Sequence, residues 1–322
     1  MPISSAPNMP STVLTSIAGC RACVSGVRDN CSINRTRRSR PGGMASGHSP
    51  VTILDDARVR AARTYNAAAD TYDDPANGFW ERFGRDTVER LRLRRGSRVL
   101  DVCCGSGASA LPAARIVGPE GVVLGVDLAE RLLELARSKA AARGLANTEF
   151  RIGDILDLRM PAAHFDAVVC VFGIFFVPDM AAAVRTLWER VRPGGKLAIT
   201  TWGPRFFEPA TTAFWASIRD VRPDLYKGFN PWDRICDPAS VISLLREGGV
   251  EVAQAVAVTG AHPIPSPEAW WSAVLGSGYR GTVDQLDASA REYVKAQNLS
   301  YIRNADIRSV EANVVYASAA KQ

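Results

Sequence analysis

The chain has 322 residues, 47% apolar and 22% charged, enough for one large α/β domain with insertions or a domain with a small companion. Its net charge is +6, yet residues 1–43 hold six arginines and one acid, so the other 33 basic and 32 acidic residues leave the body at +1. That balance disfavours a nucleic-acid partner, whose enzymes carry a basic face on the folded domain, and no apolar run nears the roughly 18 residues of a membrane span.

The first 43 residues are rich in Ser, Arg, Gly and Pro, which predicts a disordered basic tail, either the product of a misplaced start or a targeting segment. Cys20, Cys23 and Cys31 lie in this tail. Cys20-x-x-Cys23 has no second pair at zinc spacing and His48 belongs to no ligand pattern, so no metal site is expected. Cys103, Cys104, Cys170 and Cys236 fall in or beside core elements as small hydrophobes. This usage fits a reducing compartment and a cytoplasmic location.

From about residue 55 helix and strand patterns alternate. Asp55–Tyr72 reads as a helix, with Val59, Ala62, Tyr65, Ala69 and Tyr72 at helical spacing, and Phe79–Leu93 as a second. Arg98–Val102 is a buried strand, followed by a Gly-rich loop and a helix near 108–117. The cycle repeats with strand Gly121–Val126, helix Leu128–Arg143, strand Thr148–Ile152, strand Asp166–Phe172 and a helix at about 179–191. Arg192-Pro193-Gly194-Gly195 predicts a tight turn before strand Lys196–Trp202. Such alternation implies a parallel sheet covered on both faces. Two aromatic-rich insertions follow, at about 203–237 and 262–307, separated by a helix near 238–247 and a strand near 250–258. Val310–Ala317 reads as the closing strand.

Four features carry chemistry. Asp101-Val102-Cys103-Cys104-Gly105-Ser106-Gly107 ends the first strand, where open α/β sheets bind ligands and glycines admit a close backbone approach. Gly105-x-Gly107-x-x-Ala110 alone also satisfies a dinucleotide fingerprint. Asp127, with Leu128 beside it, ends the second strand, where a carboxylate accepts both hydroxyls of a ribose or caps the next helix. Gly153-Asp154-Ile155 follows the third strand, an acid and an aliphatic suited to an adenine edge and face. The run Phe165–Gly173, with Phe175-Phe176-Val177-Pro178-Asp179 after it, empties a buried strand into an aromatic loop.

With these motifs the sequence resembles the class I methyltransferases that use S-adenosylmethionine, in particular the small-molecule branch similar to the ubiquinone and menaquinone biosynthesis enzymes. The resemblance rests on Val99-Leu100-Asp101 with the Gly loop, Val126-Asp127, Gly153-Asp154, Phe165-Asp166 and Arg192–Gly195, and covers about residues 60–205. It implies a Rossmann-like seven-stranded, mostly parallel sheet with helices on both faces and an antiparallel last strand. It also implies a lid of helices at 44–94 and a methyltransferase domain at 95–322 whose insertions lie on the substrate side. The cofactor implied is S-adenosyl-L-methionine. Asp101, Cys103, Gly105 and Gly107 would hold its methionine end, Asp127 and Leu128 the ribose, Asp154 and Ile155 the adenine, and the chain at Cys170–Val171 would face the amino-acid group. Tyr65 and Tyr72 match the family's Tyr-Asn-x-x-Ala…Tyr-Asp segment and would lid the site. Cys103 departs from the family, which has Gly there.

The expected reaction is methyl transfer to a small hydrophobic or aromatic molecule, with alignment supplying most of the rate. No general base stands out; of three histidines, His262 is the candidate, against a packing role for it. The alternatives are a cofactor-binding regulatory protein without turnover and a nicotinamide-dependent oxidoreductase on a related fold. Composition says nothing of oligomeric state.

Overall fold

The computed structural model describes residues 50–322, with side chains from Arg58 onward; the expected basic tail, with Cys20, Cys23, Cys31 and His48, lies outside the described residues. Two helices come first, α1 (Pro50–Tyr72) and α2 (Phe79–Leu91). Then β1 (Arg98–Val102), α3 (Ala110–Val117), β2 (Val122–Asp127), α4 (Glu130–Ala142), β3 (Thr148–Ile152), β4 (Phe165–Val171), α5 (Met180–Arg190) and β5 (Val191–Trp202) alternate. The later part holds α6 (Ala210–Val221), α7 (Pro238–Glu247), β6 (Gln254–Val258), β7 (Ala261–Pro263), α8 (Pro267–Leu275), α9 (Arg280–Val283), α10 (Ala288–Asn304), β8 (Ser309–Glu311) and β9 (Val314–Ala320). No described helix is long and apolar enough to cross a membrane.

Seven strands form one sheet in the order β3-β2-β1-β4-β5-β9-β6. All pairings from β3 to β5 are parallel, and β9 runs antiparallel between β5 and β6. The central strands are apolar on both faces because helices cover both: Val99 and Val169 pack with Leu111, Val117 and Leu133, whereas Leu100 and Val168 face the larger core shared with α5 and the insertions. Chain order reverses between β1 and β4, so the loops after β1, β2 and β4 diverge at the carboxyl edge and leave a crevice there. Helix starts follow their caps. Asp179, Asp237, Ser266 and Asp287 each accept a backbone N–H from the first turn of α5, α7, α8 and α10.

Two local expectations need correction. The closing strand is split: Ser309–Glu311 pairs with Ala261–Pro263 in a separate ribbon, and only Val314–Ala320 joins the main sheet. Arg192–Gly195 does not separate helix from strand. Val191 already pairs with Phe165, and the pairing resumes at Lys196 with Ala167, so residues 192–195 bulge within β5 with Gly194 at φ +75°. The insertion aromatics are mostly core. Phe206, Phe207, Phe214, Trp215, Trp270, Trp271 and Tyr279 are all buried and pack on one another, because the insertions need a core of their own to cover the end of the sheet.

Candidate active site

The β1 loop is held as a frame by its own backbone. Cys104 N–H donates to the Val126 carbonyl at 3.1 Å and Gly107 N–H to the Cys104 carbonyl at 2.9 Å. Gly105, at φ +52°, turns its N–H onto the Asp127 carboxylate at 2.8 Å, while the other carboxylate oxygen accepts Ala129 N–H at 2.9 Å. Asp127 thus joins the ends of β1 and β2 and fixes the turn that leads into α4, whose N-cap position is Ala129. Burial pushes its carboxyl up, against the pull of the Ala129, Gly105 and Leu128 backbone donors.

Cys103 resolves the departure from the glycine pattern. It takes φ +59°, the left-handed conformation that glycine adopts freely and that costs a residue with a Cβ about 1 kcal/mol. Room for its side chain comes from Gly173 after β4, where an added Cβ would lie 2.4 Å from the Cys103 Cβ and 2.6 Å from its Sγ. A glycine lost on one loop is matched by a glycine on the facing loop. Contact with the Cys170 thiol and burial push the Cys103 thiol well up.

Above these loops lies a cavity of about 90 Å³. Its floor is Cys103, Gly105, Asp127, Leu128 and Ala129; one end is Gly153, Asp154 and Ile155; the other is Val171, Phe172, Gly173, Phe176 and Val177. Arg58, Ala61, Ala62, Tyr65 and Tyr72 from α1 roof it, with Trp80 from α2. The roof is braced. Tyr72 stacks on Trp80 with centroids 5.2 Å apart, Trp80 Nε1 donates to the Gly276 carbonyl at 3.2 Å, and Tyr65 sits edge-on to Phe176 at 5.5 Å. Burial raises the hydroxyls of both tyrosines, so they stay protonated donors. Polar ties fasten α1 and the turn after it. Arg58 pairs with Asp154 at 3.0 Å, Arg131 with Asp70 at 2.6 Å, and Lys139 with Asp73 at 2.9 Å; Ser106 of the β1 loop donates to the same Asp73 at 2.7 Å.

A likeness to known proteins matches this frame. Residues 99–195 match the family model of a methyltransferase domain. Over those residues the chain carries a methyltransferase domain. Over 145 residues it is 36% identical to the demethylmenaquinone methyltransferase of Listeria monocytogenes serotype 4a (strain HCC23), covering 45% of this chain and 61% of that one. Over 144 residues it is 34% identical to the aklanonic acid methyltransferase DauC of Streptomyces sp. (strain C5), covering 45% and 66%. The chain therefore spans less than two thirds of the curated relatives it matches. In fold it is similar to phosphoethanolamine N-methyltransferase 2 of Haemonchus contortus, with a TM-score of 0.52 at 15% identity over 83% of this chain and 60% of that one.

Within the methyltransferase domain and its roof the structure brings together Tyr65, Tyr72, Cys103, Gly105, Asp127, Leu128, Asp154, Ile155 and Val171. Four expected positions lie off the cavity. Asp101 is buried beneath the loop, where it accepts the Ser109 hydroxyl at 2.6 Å; Gly107 faces Leu111 and Ala136; Cys170 is wholly buried in β4. His262 is the fourth. Its Nε2–H donates to the Ala76 carbonyl at 2.7 Å and its ring meets Phe79 edge-on at 5.0 Å, so it ties β7 to the start of α2 instead of facing the cavity. Burial lowers its pKa, as expected for a packed neutral imidazole. His164, at the surface, hydrogen-bonds Arg98. Arg58, Ala61, Ala62 and Trp80 were missed. The signal existed for three of them, because positions three, four and seven residues before Tyr65 fall on the same helix face.

Proposed function

We propose that the chain transfers the methyl group of S-adenosylmethionine to a small, apolar or aromatic acceptor. The observation that carries this is Asp127. Its two oxygens each take one backbone N–H and keep a lone pair apiece for a ribose diol, at the cavity floor and one loop from Asp154. The donor set fits the rest of the group as well. Ile155 and Leu128 offer apolar faces to a purine, Asp154 an acceptor to its amino group, and the bare Gly105 backbone a close approach to the amino-acid end. Asp101, buried beneath the loop and bonded to the Ser109 hydroxyl, supports that backbone from below.

Bound S-adenosylmethionine supplies a methyl group activated by a sulfonium. The chain supplies alignment and exclusion of water: the aromatic roof closes over the reacting end, and Phe172 and Phe176 wall the acceptor side. Tyr65, Tyr72 and Cys103 are held protonated, Asp127 is committed to backbone donors and Asp154 to Arg58, so among the described residues no cavity side chain serves as the base. The rate is then set by how readily the acceptor itself gives up its proton. The relatives' named acceptors, demethylmenaquinone and aklanonic acid, point to the same aromatic class. Residues 44–94 would serve as the lid and 95–322 as the transferase, with the insertions at 203–237 and 262–307 backing the lid. The near-neutral body disfavours nucleic acid, and the four cysteines among the described residues, all free thiols, fit a reducing, cytoplasmic setting.

The test is turnover by the full chain with S-adenosylmethionine and a panel of phenols, hydroquinones and carboxylic acids, read by mass spectrometry. Equimolar S-adenosylhomocysteine and methylated product from an aromatic acceptor, rising with pH through that acceptor's pKa, is the expected result. Cofactor binding with no product from any acceptor would favour a cofactor-binding protein that does not turn over.

A further inference from the structure

Among the described residues Arg58 is the one cationic side chain lining the cavity, and neither the glycine loop nor the strand-end acids explain it. It reaches from α1 across the cavity mouth to Asp154, Nε to Oδ2 at 3.0 Å. The other oxygen of Asp154 accepts Leu156 N–H at 2.9 Å, so the carboxylate plane is fixed from two sides. The arginine side chain is 37% exposed and the aspartate 14%, which puts the guanidinium on the solvent side and leaves the carboxylate turned inward. Ala61 and Ala62 of α1 line the same cavity as Ile155 and Leu128, a slot between small and aliphatic side chains.

Small-molecule sites usually occupy about 300–1,000 Å³. At about 90 Å³ this cavity is small for a nucleoside, and α1, with the turn after it, is tied to α4 and to the loop after β3 by partly exposed ion pairs worth little individually. Of those ties only Arg58–Asp154 joins two residues that line the cavity itself.

We infer that Arg58 is a clasp and positioning residue for the cofactor's nucleobase: it opens with α1 and, once the base is in the slot, re-forms its pair with Asp154 to hold that carboxylate on the base edge. The inference rests on the proposed cofactor. Because the clasp touches the base and not the reacting atoms, it acts on residence time. Its loss raises KM for the cofactor and leaves kcat unchanged.

The experiment measures S-adenosylhomocysteine binding and release by stopped flow on the full chain, as wild type, Arg58→Gln, Arg58→Lys, Asp154→Asn and the Arg58→Gln/Asp154→Asn double variant. The expected result is an off-rate about fivefold faster for Arg58→Gln, the size of a partly exposed ion pair, with partial recovery in Arg58→Lys. In the Asp154→Asn background Arg58→Gln should add nothing, and the unliganded thermal midpoint should not move. An off-rate equal to wild type, or the same fivefold step with Asn at 154, overturns the clasp while leaving the cofactor reading intact. Failure of the wild type to bind S-adenosylhomocysteine overturns both.

Discussion

Asp101 is a carboxyl group with almost no contact with water, bonded on one side by the Ser109 hydroxyl and on the other by nothing. Burial pushes its pKa up to about 7, the serine bond pulling the other way and the nearby Asp127 adding to the rise. The folded chain therefore keeps a proton that the unfolded chain releases near the ordinary carboxylate value. Stability must fall as pH rises between those values, by up to about 1.4 kcal/mol per unit, and level off above them. Asp101→Asn stays neutral and should escape this loss. In urea unfolding without cofactor the variant should gain on wild type between pH 4.5 and pH 7.5; an equal difference at both would contradict the assignment. From the sequence, Asp101 reads as a ligand-facing acid. Its position in the strand was legible, but the side on which it would be buried depends on the twist of the loop above it. Cys103 is the converse case: its oddity was legible, and the compensating Gly173 lies 70 residues away on a strand end that only the folded sheet brings near.

At the scale of elements, periodicity and caps located the α/β core well. Arg98–Val102 and Thr148–Ile152 match their expected limits, and the helices differ at their ends by a few residues, where capping decides. The insertions were not legible in this way, since their helices pack on each other instead of on the sheet. Asn298 shows why. On α10 the buried stripe is Val294, Asn298 and Ile302, while Tyr293, one of the aromatics that marked this segment in the sequence, points to solvent. Asn298 accepts from Trp270 Nε1 at 2.9 Å and donates to the Ser217 hydroxyl at 3.0 Å, joining α8, α6 and α10 in one buried network. Replacing it with Leu leaves the Trp270 N–H without an acceptor. Asn298→Leu should cost about 2 kcal/mol in chemical denaturation; a loss under about 0.5 kcal/mol would mean the network carries no weight.

Taken whole, the molecule divides its labour by position along the chain. The sheet from β3 to β5 supplies the loops that form the cavity floor, and that stretch is where the likeness to methyltransferases lies. The part after Trp202 adds strands that extend the sheet and aromatic helices whose rings form core; Gly276 and Gly281 let this layer approach the roof closely, beside Asn77 and Thr64. The floor was legible because it is built from short motifs at strand ends. The roof was legible only as two tyrosines, because the rest of it is alanine, an arginine and a tryptophan whose meaning comes from what they face. The central claim is that floor and roof together hold S-adenosylmethionine, with Asp127 gripping the ribose. Calorimetric titration of the full chain with S-adenosylmethionine, with NADH and an Asp127→Ala variant alongside, tests it most directly. The account predicts saturable one-to-one binding of S-adenosylmethionine, at least tenfold weaker in the variant, and none of NADH; equal affinity in the variant, or preference for NADH, would contradict it.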